Sequence, residues 1–197
     1  MDLAQSKDLV ERMQSGDLDA FEEFFNSYKR PVFTTALAIT RDPFLAEEVL
    51  QDCFVKAYRV RERLDPERSP LPWLQRVAIN LCYSRVARRR AIMEPLTSLI
   101  TNLVVDIAAR PDQVVESREV LEVLQRGIDA LPPKQQTAII LYYLHGYSLA
   151  EAAEIADCNV GTMKSRLHYA LKALRASLPV ERRAPVGARL RAADELP

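Results

Sequence analysis

The stretch Ser148 to Leu174, SLAEAAEIADCNVGTMKSRLHYALKAL, sets two helix starts so close together that it can hold only a short helix, a tight turn and a second helix. Ser148 followed by Glu151 is a capping box, in which the serine oxygen and the glutamate each take up a free backbone N–H at a helix start. Ala152, Ala153, Ile155 and Ala156 then give one side small or apolar groups, which allow another helix to cross closely. Asp157, Cys158 and Asn159 break this pattern. Asn159 can cap a new helix with Thr162 three residues on, and Val160, Met163, Leu167, Leu171 and Leu174 recur at the three-and-four spacing of a buried stripe.

At 100° per residue the opposite face of the second helix carries Gly161, Ser165, His168, Tyr169 and Lys172, flanked by Lys164 and Arg166. A glycine for close approach, hydrogen-bonding groups in the middle and cations at the edges fit a DNA major groove. There, central groups read bases and cations meet phosphates. An ordinary amphipathic helix with a solvated polar face gives the same pattern, so the rest of the chain has to decide.

The chain has 197 residues with only five glycines, and strand-like alternation is scarce, so an all-α protein is expected. No apolar run reaches the length of a membrane span, and MDLAQSKDLVERM lacks the basic-then-apolar order of a signal peptide, which points to a cytoplasmic protein without membrane insertion. Cys53, Cys82 and Cys158 are odd in number and without a CxxC pair. They read as reduced, largely buried thiols, not as a disulfide framework or a metal site.

The formal net charge of zero hides an alternation. Residues 1–57 carry net −5, 58–92 net +6, 93–157 net −6 and 158–197 net +5. Two separate cationic blocks are thus available to nucleic acid, although charge runs also serve as plain solvated faces.

Along the chain, Leu9, Val10 and Met13 mark a first helix ending near Gly16. DLDAFEEFFNSYKRPVFTTALAI follows, which Pro31 should bend or split. Asp42 and Pro43 cap a helix running to about Leu64. Asp65 to Pro72 is a loop by its prolines. The next helix, WLQRVAINLCYSRVARRRA, turns Trp73, Leu74, Val77, Leu81 and Val86 inward and ends in arginines. The domain division is then 1–92, an unusually apolar linker at 93–112, a second domain at 113–178 and a tail at 179–197. In the second domain a helix to Ala130 breaks at Leu131, Pro132 and Pro133, and another runs to Leu144 before Gly146. Neither histidine, His145 or His168, has a carboxylate or cysteine at ligand spacing, and no phosphate loop or nucleophile elbow occurs. The expectation is a non-enzyme with no metal and no cofactor.

ALPPKQQTAIILYYLHGYSLAEAAEIADCNVGTMKSRLHYALKAL resembles region four of extracytoplasmic-function sigma factors. AFEEFFNSYKRPVFTTALAITRDPFLAEEVLQDCFVKAYRVRERL with PWLQRVAINLCYSRVARRR resembles their region two. The resemblance covers most of Gly16 to Leu178. It implies a bacterial initiation factor that joins core RNA polymerase and directs it to promoters. Glu48, Gln51 and Asp52 would dock on the beta-prime clamp helices, with the beta subunit also contacted. The loop Leu64 to Pro72 and the helix after it would take the minus-ten strand unpaired, with Asn80 and Trp73 at a pocket for a flipped base. An asparagine offers a donor and an acceptor to a base edge, and an aromatic ring can stack, although Trp73 also reads as core. Arg76, Arg85, Arg88 and Arg89 would hold backbone phosphates. On the minus-thirty-five duplex, Lys164, Ser165, His168 and Tyr169 would face bases, with Thr162, Arg166 and Lys172 on the backbone.

The resemblance also implies an anti-sigma factor as partner. Tyr169 and Leu171 stand where the family commonly has basic residues, and Glu151 to Ala153 reads EAA where EIA is usual. Two other readings fit parts of the chain: a stand-alone helix-turn-helix regulator, and a helical adaptor that binds proteins only.

Overall fold

The computed structural model describes residues 3–100 and 124–177, with side chains as far as Arg89 in the first stretch. Most of the apolar linker, the start of the second domain before residue 124, and the tail at 179–197 lie outside the described residues. Among those described, every regular element is helical.

Helix α1, Leu3–Gln14, buries Ser6, Leu9, Val10 and Met13. Gly16, at φ 92°, turns the chain, and Asp17 caps α2, Leu18–Thr40, by accepting from the N–H groups of Asp19 and Ala20. Of the bend or split expected at Pro31, the split does not occur: α2 runs through it. Its carbonyl collects hydrogen bonds from Thr35 Oγ1 (3.1 Å) and Gln75 Nε2 (3.3 Å), which ties the helix at that level to the later helix that carries Gln75. Arg41 ends α2 in a left-handed conformation, φ 58°. Asp42 then caps α3, Pro43–Arg59, with Pro43 in the first turn as the sequence indicates. This helix stops short of Leu64, because Arg61–Arg63 tighten into a 3-10 turn. A loop leads to α4, Leu71–Ile100, which continues past Ile92, where the linker was expected to begin.

The core of this unit is an aromatic cluster. Fully buried Phe24 lies 5.0 Å from Tyr28 and 5.9 Å from Phe54, ring centre to ring centre, and Phe25 lies 4.8 Å from Phe54. Val32, Val49, Cys53 and Leu74 close around it. Cys53 and Cys82 are buried, and burial pushes both thiols up to about 12. Cys158 departs from expectation: it is half-buried, because it sits in a turn, and Arg166 Nη1 donates to its sulfur at 3.3 Å.

In the second unit residues 124–129 (α5) are helical, and Leu131 is buried at the break. Helix α6, Pro133–Ile139, widens into a π turn at Ile140–Leu144, and Gly146, φ 72°, reverses the chain. The capping box is present: Ser148 Oγ accepts from Glu151 N, and Ser148 N donates to Glu151 Oε2 at 2.9 Å, opening α7, Leu149–Ile155. Asp157, φ 50°, makes the turn. Asn159 Oδ1 then accepts from Thr162 N at 2.7 Å as α8, Val160–Ser177, begins.

Met163, Leu167, Ala170, Leu171 and Leu174 of α8 bury against Ala138, Leu141, Ala152, Ala153 and Ile155. Val160, expected in that stripe, is 40% exposed, since as the first residue of α8 it precedes the crossing. The Asn159 bond leads to an expected result. Asn159→Ala should lower stability by about 1 kcal/mol, seen as a lower urea midpoint at unchanged slope, and Asn159→Ser should keep most of it.

The two units touch. Tyr83 Oη on α4 donates to the Pro133 carbonyl (2.6 Å), Thr35 Oγ1 meets His145 Nε2 (2.7 Å), and Arg76 Nε donates to the Ile155 carbonyl (3.1 Å). Helix α4 is consequently buried on more sides than its own unit requires. Gln75 and Ile79 are buried beside Leu74, Val77, Ala78 and Cys82, whereas Trp73, Leu81 and Val86 are only half-buried.

Candidate nucleic-acid interface

The outer face of α8 is assembled as its periodicity requires. With its apolar stripe fixed against α6 and α7, Ser165, His168, Tyr169 and Lys172 are exposed, and Thr162, Lys164 and Arg166 are half-buried beside them. Ser165 Oγ returns a bond to the Gly161 carbonyl at 3.0 Å, which leaves the hydroxyl oxygen turned along the helix with spare accepting capacity. The His168 and Tyr169 rings meet edge to face at 5.5 Å, and Tyr169 is 58% exposed. Arg166 is turned back onto the Cys158 sulfur, so it braces the turn.

An open groove of about 740 Å³ runs beside this face, with Tyr142, Leu149, Lys164, His168, Lys172 and Arg175 among its walls. Tyr142 and Arg175 are not among the residues that the sequence singles out. Arg175 was readable as the next step after Lys172 on the same face, at three residues' spacing. Tyr142 had no such signal, since it reaches the groove from a different helix.

A second cluster lies on α4. Asn80 is exposed, and Trp73, two turns earlier on the same side, is half-buried and packed against the core, so its ring serves packing at least in part. Arg76, between them, is engaged: it donates to the carbonyls of Ile155 and Glu154 and lies 3.8 Å from the Asp157 carboxylate. Of the other arginines, Arg88 is exposed, and Arg89 pairs with Asp42, whose carboxyl it helps to hold below its ordinary range together with the N–H groups that Asp42 caps.

Arg85 departs furthest from the sequence picture. Its guanidinium bridges two acids of α3, Glu48 at 2.6 Å and Asp52, so in this structure it does not stand free for a phosphate. The charge run announced a cation, but an ion pair between helices far apart in sequence leaves no local signature. Glu48, Gln51 and Asp52 are all exposed on one side of α3, with Phe44 (84% exposed) and Val55 (47%) at the two ends of that side. The result is an acidic stripe with apolar ends, a composition met at protein interfaces.

Among the described residues no three His, Cys, Asp or Glu side chains gather as metal ligands, and no helix is long and apolar enough to cross a membrane.

Comparison with known proteins gives two family matches: residues 24–92 to "Sigma-70 region 2" and residues 121–174 to "Sigma-70, region 4". The chain is 32% identical over 181 residues to the ECF RNA polymerase sigma factor SigW of Bacillus subtilis (strain 168), covering 87% of this chain and 96% of that protein. It is 30% identical over 173 residues to the ECF RNA polymerase sigma-E factor of Escherichia coli (strain K12), covering 84% and 90%. Among solved structures, the fold is similar to the sigma factor RpoE in complex with the anti-sigma factor NepR from Bartonella quintana, with TM-score 0.62, 24% identity, and 82% and 98% of the two chains covered. It is also similar to CnrH in complex with the cytosolic domain of CnrY, with TM-score 0.64, 20% identity, and 87% and 96% covered.

Proposed function

The chain belongs to the extracytoplasmic-function sigma factors of the sigma-70 family, and we propose from this how its surfaces divide promoter recognition between them. The protein joins core RNA polymerase and confers promoter-specific initiation. The observation that carries the reading is the presence, in one chain and in family order, of an acidic α3 stripe, an α4 face centred on Asn80, and an α8 face above an open groove.

On α3, Glu48, Gln51 and Asp52 dock on the beta-prime clamp helices, with the acids steering association toward a basic partner. On α4, Asn80 takes a base extruded from the minus-ten strand, because its amide pairs a donor with an acceptor. Trp73 borders that pocket, and Arg76, Arg88 and Arg89 follow the strand's phosphates. On α8, Lys164, Ser165, His168 and Tyr169 face the bases of the minus-thirty-five duplex, while Thr162, Arg166 and Lys172 meet its backbone. Two weak sites carried on one polymerase give tight, spacing-dependent binding through effective concentration, so neither unit needs high affinity alone. The work is binding and positioning, without catalysis or a cofactor of its own. The domain division is 1–92, 93–112 and 113–178, the protein acts in the cytoplasm, and an anti-sigma factor restrains it.

The test is transcription from a genomic DNA library by purified core polymerase with and without the protein. New specific start sites that depend on the protein are expected. Their complete absence would remove the reading. Tight binding of promoter duplex at physiological salt without polymerase would favour the stand-alone regulator.

A further inference from the structure

Helix α1 takes no part in the contacts assigned above, yet its last residue reaches the loop before α4. Gln14 Nε2 donates to the carbonyls of Arg61 (3.0 Å) and Leu64 (2.8 Å), 47 and 50 positions on. Both hydrogens of the amide are thereby used on one short piece of backbone, from the start of the 3-10 turn to its exit. The end of α1 has no need of this side chain. Gly16, at φ 92°, lets its own N–H and that of Asp17 return to the carbonyls of Met13 (3.2 Å) and Arg12 (3.1 Å), which closes the helix from the backbone alone. Two further ties run the same way. Lys7 of α1 pairs with Glu67, and Tyr28 Oη, bonded to Ser6 of α1 at 2.8 Å, also meets the Ser69 hydroxyl.

Within its own unit the loop has little else to hold it. Leu64 and Pro70 are buried at its two ends, whereas Asp65, Glu67, Arg68 and Ser69 between them are exposed, and Arg68 pairs outward with Glu154. Asp65 accepts from the N–H groups of Glu67 (3.0 Å, at Oδ1) and Arg68 (3.2 Å, at its carbonyl), which makes a turn but does not place that turn against the protein. A segment with so few buried contacts lies where its tethers put it. Helix α1 is the rigid side of those tethers. Val10 and Met13 are fully buried, and Arg12 donates to the carboxylates of Asp17 (2.9 Å) and Glu23 (3.2 Å) at the start of α2. The Lys7–Glu67 pair is exposed and contributes little. The Gln14 amide is half-buried and bonded to backbone, so it sets the path of the loop whatever side chains the loop carries.

We infer that Gln14 is a positioning residue for minus-ten recognition: it holds the loop from Arg61 to Ser69 in the place where loop and α4 together enclose a strand, and so sets how sharply bases are told apart there. This rests on the assignment of that loop and α4 to the minus-ten strand. A pocket with one loose wall accepts a wrong base nearly as well as the right one, because discrimination needs donors and acceptors fixed in place. Gln14 touches no base and acts through the backbone that it holds.

Gln14→Met tests this, since it keeps an unbranched stem of similar length and removes both donors. Holoenzyme made from core polymerase and either chain transcribes the same genomic library, and the aligned start sites give the base preferences at both promoter elements. In the variant, preference at the captured minus-ten bases should fall about fivefold, a part of what a well-placed pair of hydrogen bonds supplies. The minus-thirty-five preference, polymerase affinity and helicity by circular dichroism should be unchanged. Without DNA, amide exchange at Leu64, Glu67 and Arg68 should be about tenfold faster than in the wild type, with the amides of α2 and α4 unaltered.

An unchanged minus-ten preference in the variant, or loop amides that exchange as in the wild type, overturns the inference and leaves the sigma-factor reading standing. Preferences lost equally at both elements also overturn it, because a general loss of stability does not single out one element. A wild-type chain that directs no start sites removes the sigma-factor reading, and the inference with it.

Discussion

Reversing both acids of the α3 stripe, Glu48→Lys with Asp52→Lys, is expected to weaken binding to core polymerase by about 100-fold or more, because like charges brought together at an interface cost several kcal/mol. The double change also sets two lysines against Arg85, which bridges both acids in the free chain. Loss of binding could therefore come from a loosened α3–α4 contact. Adding Arg85→Glu separates the causes, since it restores the intramolecular pairs with inverted sign. The triple variant should recover the wild-type urea midpoint and still fail to bind polymerase in a fluorescence titration. Wild-type affinity in the double variant would take the stripe out of the docking site.

The second large effect is expected at Asn80. Asn80→Ala should slow open-complex formation by about tenfold or more, the range of a two-point hydrogen bond to a base edge, while leaving polymerase affinity unchanged. Permanganate footprinting of unpaired thymines reads the opening, and the same titration reads the affinity. Changing the captured base should penalise the wild type but add little to the variant, because the two changes remove the same interaction. Equal loss of polymerase binding and opening would move Asn80 out of the pocket and into the fold.

What could be read from the chain was what depends on residues close in sequence. The Ser148–Glu151 box, the Asn159–Thr162 bond and the Asp42–Pro43 start are each complete within a few residues, and all three are in place. The stripe from Met163 to Leu174 is likewise a local periodicity, and it alone determines which face of α8 is left outward. At Pro31 no split follows, because the rule about proline concerns one lost N–H. The helix here continues, and Gln75, forty-four positions on, bonds to the Pro31 carbonyl.

Arg76 and Arg85 were legible as cations, but their partners, α7 on one side and α3 on the other, come from long-range packing that no periodicity encodes. The burial of Gln75 failed to show for the same reason: it is a polar residue, and its partners, Thr35 and the Pro31 carbonyl, stand 40 and 44 positions away on α2.

The meeting of Thr35 with His145 couples domain separation to protons. A hydroxyl has one hydrogen, and Thr35 already has the Pro31 carbonyl and Gln75 Oε1 as acceptors, so His145 is placed to donate from Nε2 in its neutral form. Thr35, Gln75 and Tyr147 around the ring are uncharged at neutral pH, and burial alone holds the imidazole below its ordinary value of 6.5. A ring released from this burial into water would return to that value. The joined form therefore has its full share of this stabilisation above about pH 6.5 and loses it as pH falls through and below that value, with separation taking up protons. Lowering the pH below about 6.5 is therefore expected to weaken this one contact, read as faster amide exchange around Thr35 and His145, through a ring that no nucleic acid needs to touch.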